Sequence, residues 1–194
     1  IKKSRNKLTE EQIIEAVGGG DKTKGSCSSV AFAYIGNKAG YTVLDFRGGK
    51  SRVFFSRLDR INMIGSLPGV EMHVAKNIND FKAAKELLEK AENGKEYYLA
   101  TGRHAAIVRK NDNLVEYLEL QSKIANGFKP FDDTVLKKRF KAKKSHTFRG
   151  RKYDVESYLI DVNSLKDNPE FHNILSFLNT AESQQMKGIT GHEK

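Results

Sequence analysis

The sequence predicts a single α+β domain, and three observations predict it. Apolar residues recur at helical spacing in Phe81, Ala84, Leu87, Leu88 and Ala91, with charges filling the positions between them. Residues 95–120 read instead as short strands separated by polar turns, the pattern of a hairpin. A chain of 194 residues with 38% hydrophobic content is long enough to bury one substantial core. The core is expected over about residues 9–131, with 132–194 as a basic strand–helix extension.

Charge and composition narrow the class. The 34 basic and 24 acidic residues leave a net charge of +10, which attracts polyanions or an acidic partner. No apolar run approaches the ~20 residues needed to cross a bilayer, and no signal-peptide pattern is present, so a soluble chain without a membrane span is expected. The chain opens on Ile1, the expected mark of a fragment or processed product, so that any delivery signal is expected upstream. Its one cysteine cannot form an internal disulfide, and no paired Cys/His spacing suits zinc. No cofactor or metal is expected.

The elements follow in order. Residues 1–7 are basic and expected to fray. Thr9-Glu-Glu-Gln12 is a capping box, opening a short helix with Ile13, Ile14, Ala16 and Val17 on its apolar face. Gly18–Gly20 end that helix and begin a Gly-rich loop, which runs to Cys27 at the start of an amphipathic helix ending near Lys38 and Gly40. Tyr41–Phe46 is rich in strand formers, residues 51–62 have no assigned structure, and Ile61–Gly69 reads as loop. The Phe81 helix spans 79–91. Strands then follow at 95–100, 104–109 and 114–120, joined by Thr101-Gly-Arg103 and by a four-residue turn at Lys110–Asn113. Nine Lys or Arg fall between 137 and 152 without an acid. Residues 153–162 alternate as a strand does. Asn168-Pro-Glu170 introduces a helix carrying Phe171, Ile174, Leu175 and Leu178, and 183–194 reads as a loose tail.

Cys27 is the residue with the most chemical promise. Unpaired N–H groups and the dipole at a helix N-terminus favour a thiolate, and the same N–H groups suit an oxyanion formed when sulfur attacks a carbonyl. Its neighbours Gly25, Ser26, Ser28 and Ser29 are small and polar, unlike a core. A nucleophilic thiol needs a base, and the base needs an orienting group. In the predicted hairpin His104 stands opposite Glu119, or opposite Gln121 if the pairing shifts by two. Opposed side chains lie about 4.5–5.5 Å apart at Cβ. The other histidines offer less: His146 sits among basic residues, His172 on a helix expected at the surface, His73 after a loop, and His192 in the tail.

A Gly-rich loop, a cysteine opening a helix, and a later strand pair bearing His104 and Glu119-Leu-Gln121 resembles the compact papain-like cysteine peptidase domains of bacterial polymorphic toxins and phage head-associated proteins. The resemblance covers about residues 9–131. It implies a nucleophile helix packed against an antiparallel β-sheet, and cleavage or deamidation of amides in a protein substrate. Cys27 would be the nucleophile, His104 the acid/base and Glu119 the orienting residue, with Gln121 as its neighbour or substitute. A toxin of this kind is secreted or delivered to act in a target cytoplasm, and its producer holds an immunity protein, expected to be acidic. A phage particle is the alternative setting. The chain departs from the pattern in three places. No glutamine lies between Val17 and Cys27 as an oxyanion donor, leaving a backbone amide, Thr23 or Ser26; the third residue is Glu instead of Asn or Asp; and Ser28 and Ser29 stand where an aromatic is common.

A second class of function remains open on sequence alone. The 137–152 run, with Phe140 and Phe148 inside it, has the composition of a nucleic-acid contact, and a structural role in a phage particle is compatible with either reading. The Gly18–Gly25 loop lacks the GxxxxGK[ST] spacing of a phosphate loop.

Overall fold

A strand buried on both faces must be apolar at successive positions, and Tyr158-Leu159-Ile160 meets that requirement, with each residue at most 2% exposed. The structure, a computed structural model, describes residues 2–17, 26–43, 54–120 and 127–175. Six strands form its main sheet: β1 (Met72–Asn77), β2 (Glu96–Thr101), β3 (His104–Asn111), β4 (Leu114–Leu118), β5 (Phe128–Pro130) and β6 (Val155–Asp161). Their spatial order is β1-β6-β2-β3-β4-β5, and each neighbouring pair is antiparallel. The segment after residue 131, expected as an appendage, therefore supplies an interior strand. The fold is mixed α and β around this antiparallel sheet.

Helices cover both faces. Tyr98, Ala100, Ala105, Ile107, Tyr158 and Ile160 pack into one cluster with α1 (Glu10–Val17), α2 (Cys27–Lys38), α3 (Leu58–Gly65), α6 (Val162–Lys166) and α7 (Pro169–Leu175). The alternate residues Tyr97, Leu99, Ala106, Val108 and Leu159 face α4 (Asp80–Glu89) and α5 (Asp133–Lys138), meeting Ala83, Ala84, Leu87, Leu136 and Phe140.

Local signals set the helix ends. The Thr9–Gln12 capping box closes in both directions: the Gln12 amide donates to Thr9 Oγ1 at 3.2 Å and the Thr9 amide to Gln12 Oε1 at 2.9 Å. Asn79 caps α4 by accepting from the amides of Phe81 and Lys82. Helix α2 ends at Ala39, and Gly40 follows with φ +89°, the left-handed conformation glycine adopts without strain.

The structure corrects several expectations. Helix α2 is not amphipathic: every residue from Ser28 to Asn37 is buried, because the helix lies between the sheet and α1, α6 and α7. Ile61 and Ile64 bury a face of α3 where a loop was expected. The β3–β4 turn has two residues instead of four, with Asn111 paired to Leu114 and Asp112 at φ 55°, a conformation aspartate tolerates in turns. Lys2 and Lys3, expected to fray, pair with Thr42 and Tyr41. Residues 18–25, 44–53, 121–126 and 176–194, which hold the Gly-rich loop with Thr23, the end of the Tyr41–Phe46 run, Gln121, Leu178 and His192, lie outside the described residues. Among the described residues no helix is long and apolar enough to cross a membrane.

Candidate active site

The site begins with how α2 is capped. Ser26 has extended backbone angles (φ −92°, ψ 146°), and its hydroxyl accepts from the Ser29 amide at 2.9 Å. Its carbonyl accepts from the Val30 amide at 3.2 Å. Among the described residues these bonds leave the amides of Cys27 and Ser28 without an oxygen acceptor in the cap, so the helix ends in two N–H groups at the thiol, the Ser28 amide facing the sulfur. Buried Ser28 is satisfied by Tyr98, with 2.6 Å between the hydroxyl oxygens. Ser26, Ser28 and Ser29 are thus buried and hydrogen-bonded, not surface residues, and Cys27 itself is half-buried.

His104 is the first residue of β3, and α2 packs against that strand. The turn before it, Gly102-Arg103, has two residues, Thr101 pairing with His104. Gly102 takes φ +60°, and a Cβ there would meet the Phe140 carbonyl oxygen at 2.3 Å. The Arg103 amide donates to that same carbonyl at 2.7 Å. Fully buried Phe140 also sets its ring edge-on to the imidazole, 4.9 Å between centroids at 81°.

Thiol and imidazole line the same opening, close enough for each to shift the ionisation of the other. Burial pushes the Cys27 thiol up, but the bond to His104, its charge, and the amides of Ala105 and Ser28 outweigh burial, so the thiol falls below its ordinary range. Burial pushes His104 down, while Cys27 and Glu119 together carry it above the usual imidazole value. Both shifts favour a thiolate–imidazolium pair.

Glu119 completes the group in a way the sequence only partly foresaw. The β3–β4 ladder pairs Ile107 with Leu118. That register differs by two residues from the one that sets His104 against Glu119, so Glu119 stands diagonal to the histidine. A two-residue shift keeps a side chain on the same face, and Glu119 Oε2 lies 3.4 Å from His104 Nε2. That nitrogen is buried with no hydrogen-bond partner among the described residues, and the Glu119 carboxylate is the charge beside it.

Arg139 was missed by sequence reasoning. Its Nη2 donates to Glu119 Oε1 at 3.0 Å and its Nε donates to Oε2. Burial pushes the Glu119 carboxyl up, but His104 and Arg139 bring it down to about 2. The signal available in sequence, an isolated Arg in a basic run, did not distinguish it from its neighbours. The same run loses Phe140 as a nucleic-acid stacking residue, because that ring is buried against His104, Tyr117 and Phe131. Phe148 remains exposed.

Other sequence expectations were displaced too. The Ser26 hydroxyl donates to Ser29 Oγ while accepting at the cap, so it is engaged within the helix end and not aimed at an oxyanion. His146 has a carboxylate partner after all, with both oxygens of buried Asp80 2.9 Å from its Nε2. His172 is half-buried, contacting Tyr41 through Nδ1 at 3.1 Å and the Lys166 carbonyl through Nε2 at 2.6 Å.

A cleft of about 240 Å³ opens beside the thiol, lined by Cys27 and His104, by Gly102 and Arg103, by Leu58 and Ile61 of α3, and by Glu156 of β6. Among the described residues, no three His, Cys, Asp or Glu side chains gather as a metal site. The arrangement brings a thiol, an imidazole and helix-end N–H groups around one opening. In comparison with known proteins, the chain matches no family model and no curated protein.

Proposed function

We propose that this protein is a cysteine-dependent amidohydrolase with a papain-like arrangement, acting on a protein substrate through Cys27, His104 and Glu119. The observation that carries the reading is a helix-end thiol and an imidazole lining one opening, with the imidazole Nε2 3.4 Å from an ionised carboxylate. The thiolate attacks an amide carbonyl carbon, and the oxyanion is received by the amides of Cys27 and Ser28 at the N-terminus of α2. The His104 imidazolium gives its proton to the departing nitrogen, leaving a thioester and a neutral imidazole. That imidazole takes a proton from water, whose attack releases the acid and restores the thiol pair. Cleavage and glutamine deamidation share every step and differ only in whether the departing nitrogen belongs to a chain or leaves as ammonia.

The bacterial toxin or phage setting, delivery into a target cytoplasm and an acidic immunity partner rest on the sequence resemblance and on the +10 charge. Expression in bacteria with and without Cys27→Ala tests the reading: loss of toxicity in the variant is expected, and equal toxicity removes it. Ammonia released without new amino termini marks deamidation, and new amino termini mark cleavage.

A second reading, nucleic-acid contact, keeps one supporting observation. Phe148 is 66% exposed, with the Arg149 guanidinium 5.2 Å from its ring centre and Arg151 and Lys152 exposed on the paired strand. Binding to DNA or RNA that falls steeply with salt and is indifferent to Cys27→Ala would favour it.

A further inference from the structure

Beside Cys27 the cleft carries a carboxylate that the proposed chemistry does not use. Glu156 lies on β6 two residues before Tyr158, and the Tyr158 hydroxyl donates to its Oε2. Tyr158 is 2% exposed, and Asn62 of α3 donates to its hydroxyl at 3.4 Å, so the phenol is fixed by packing and by a second bond. The carboxylate is therefore held in place, half-buried, at the wall of the opening.

What surrounds Glu156 decides what it can do. On one side the β6–β1 ladder sets Lys76 opposite it, but Lys76 is exposed, and no ion pair joins the two among the described residues. On the other side Tyr158 pairs with Ala100, and continuing that register by two residues brings Gly102 beside Glu156. Glycine has no side chain to cover the carboxylate there, and the turn that holds it leads directly to His104. Arg103 lines the same cleft but is exposed at the rim. A half-buried, oriented carboxylate with no cation partner among the described residues strongly favours a cationic group arriving with substrate.

The size of the opening agrees with a side chain as occupant. Its volume of about 240 Å³ is below the ~300–1,000 Å³ of sites that enclose a free small molecule. It suits one residue of a longer chain lying across the surface. Leu58 and Ile61 offer apolar cover to a methylene stem, and lysine and arginine bury such stems while their charged heads reach a polar partner.

The geometry points to Glu156 as a specificity-determining residue that selects a lysine or arginine side chain next to the attacked amide, making the substrate a basic polypeptide segment. This rests on the reading of Cys27 as nucleophile, and the test separates the two. Cys27 is the only cysteine, so charged thiol reagents report the field at its sulfur. The thiolate attacks the sulfenyl sulfur of a methanethiosulfonate, a mixed disulfide forms and methanesulfinate leaves. Rates are measured on the full chain with the 2-aminoethyl (cationic) and 2-sulfonatoethyl (anionic) reagents.

In Glu156→Gln the cationic-to-anionic rate ratio is expected to fall about three- to tenfold relative to the natural chain. Gln keeps an acceptor for Tyr158. Lys76→Gln, a change at an exposed position, is expected to raise the ratio. Iodoacetamide on the natural chain supplies the separate control for the nucleophile. Rapid alkylation near neutral pH with a ratio unmoved by either substitution overturns the Glu156 assignment and leaves the nucleophile standing. Alkylation no faster than that of an ordinary free thiol overturns both. On a peptide library, the natural chain is expected to prefer Lys or Arg beside the attacked amide over Leu or Glu, and Glu156→Gln to lose at least tenfold of that preference; no preference in the natural chain also overturns the assignment.

Discussion

Arg139 grips Glu119 with two guanidinium nitrogens, and the oxygen held by Nε is the one 3.4 Å from His104 Nε2. One carboxylate thus joins the hairpin that carries His104 to a segment 20 residues further along the chain. A planar guanidinium fixes both oxygens at once, which a lysine cannot do. Glu119 is 4% exposed, so losing that grip would take away a charged partner from a buried carboxylate.

Arg139→Gln is expected to destabilise the fold by about 1–3 kcal/mol, less than for a fully buried pair because the Arg139 side chain is 38% exposed. The pH dependence has a definite sign. With its folded carboxyl depressed to about 2, Glu119 contributes stability that is present above its unfolded value, ~4.3, and is lost as pH falls toward 2. Removing Arg139 raises the folded value, so the loss begins at higher pH and the total contribution shrinks. Urea midpoints between about pH 2 and pH 6 read this out, and superimposable curves for the two chains would refute it. Turnover, where Cys27→Ala abolishes it, is expected to fall about 10–100-fold, since Glu119 would no longer hold the imidazole in one orientation.

Gly102→Ala tests how the turn seats His104. Any L side chain at φ +60° is strained by ~1–3 kcal/mol. The added Cβ would also fall 2.3 Å from the Phe140 carbonyl oxygen, which is backbone and cannot rotate away. A loss of about 2–4 kcal/mol in urea unfolding is expected, with a larger fall in activity than in stability at temperatures where the variant stays folded. Activity that tracks stability alone would show that the turn does not position the histidine.

How much of this was legible in the sequence depends on the range of each interaction. The Thr9–Gln12 box, the Asn79 cap and the apolar run Tyr158–Ile160 involve residues within a few positions of each other, and their chemistry is written locally. The nearness of His104 and Glu119 was also readable, even with the register off by two, because parity and not exact pairing decides the shared face. Arg139 and Phe140 were not readable. Their neighbours are basic, and only the packing of α5 across β3 and β4 turns one toward Glu119 and the other into the core. The place of β6 between β1 and β2 was hidden for the same reason, since the run of residues is apolar but nothing in it names its neighbours. Helix α3 was missed because its buried face in the described stretch is little more than Ile61 and Ile64 between charged and polar residues.

Ser26→Ala removes the hydroxyl that accepts from the Ser29 amide and donates to Ser29 Oγ. Cap losses of this kind cost about 1 kcal/mol, and a drop of that size in urea-unfolding free energy is expected. Fraying of the first turn also disperses the N–H groups around the sulfur. Cys27 alkylation near neutral pH is expected to slow in the variant, and Ser26→Asp, which restores a capping acceptor, to recover stability. Unchanged stability in Ser26→Ala would show that the cap contributes nothing here.

The ionisation of the Cys27–His104 pair is the most direct physical test of the site. The folded thiol lies below its ordinary value and the folded imidazole above its own, so each shift stabilises the charged form of its group. For His104, stabilisation from its partners is fully present below the unfolded value, ~6.5, and is lost as pH rises through the raised folded value. For Cys27, stabilisation of the thiolate is present above its unfolded value, ~8.5, and is lost as pH falls through the lowered folded value. The rate of alkylation by iodoacetamide against pH should therefore rise at a pH below that of a free thiol. In His104→Ala the imidazole and its positive charge are gone while much of the burial remains, so the rise is expected to move above the free-thiol position. At about pH 6 the variant should react on the order of 10–100-fold more slowly than the natural chain. Coincident profiles for the two chains would mean that the imidazole does not set the charge on the sulfur.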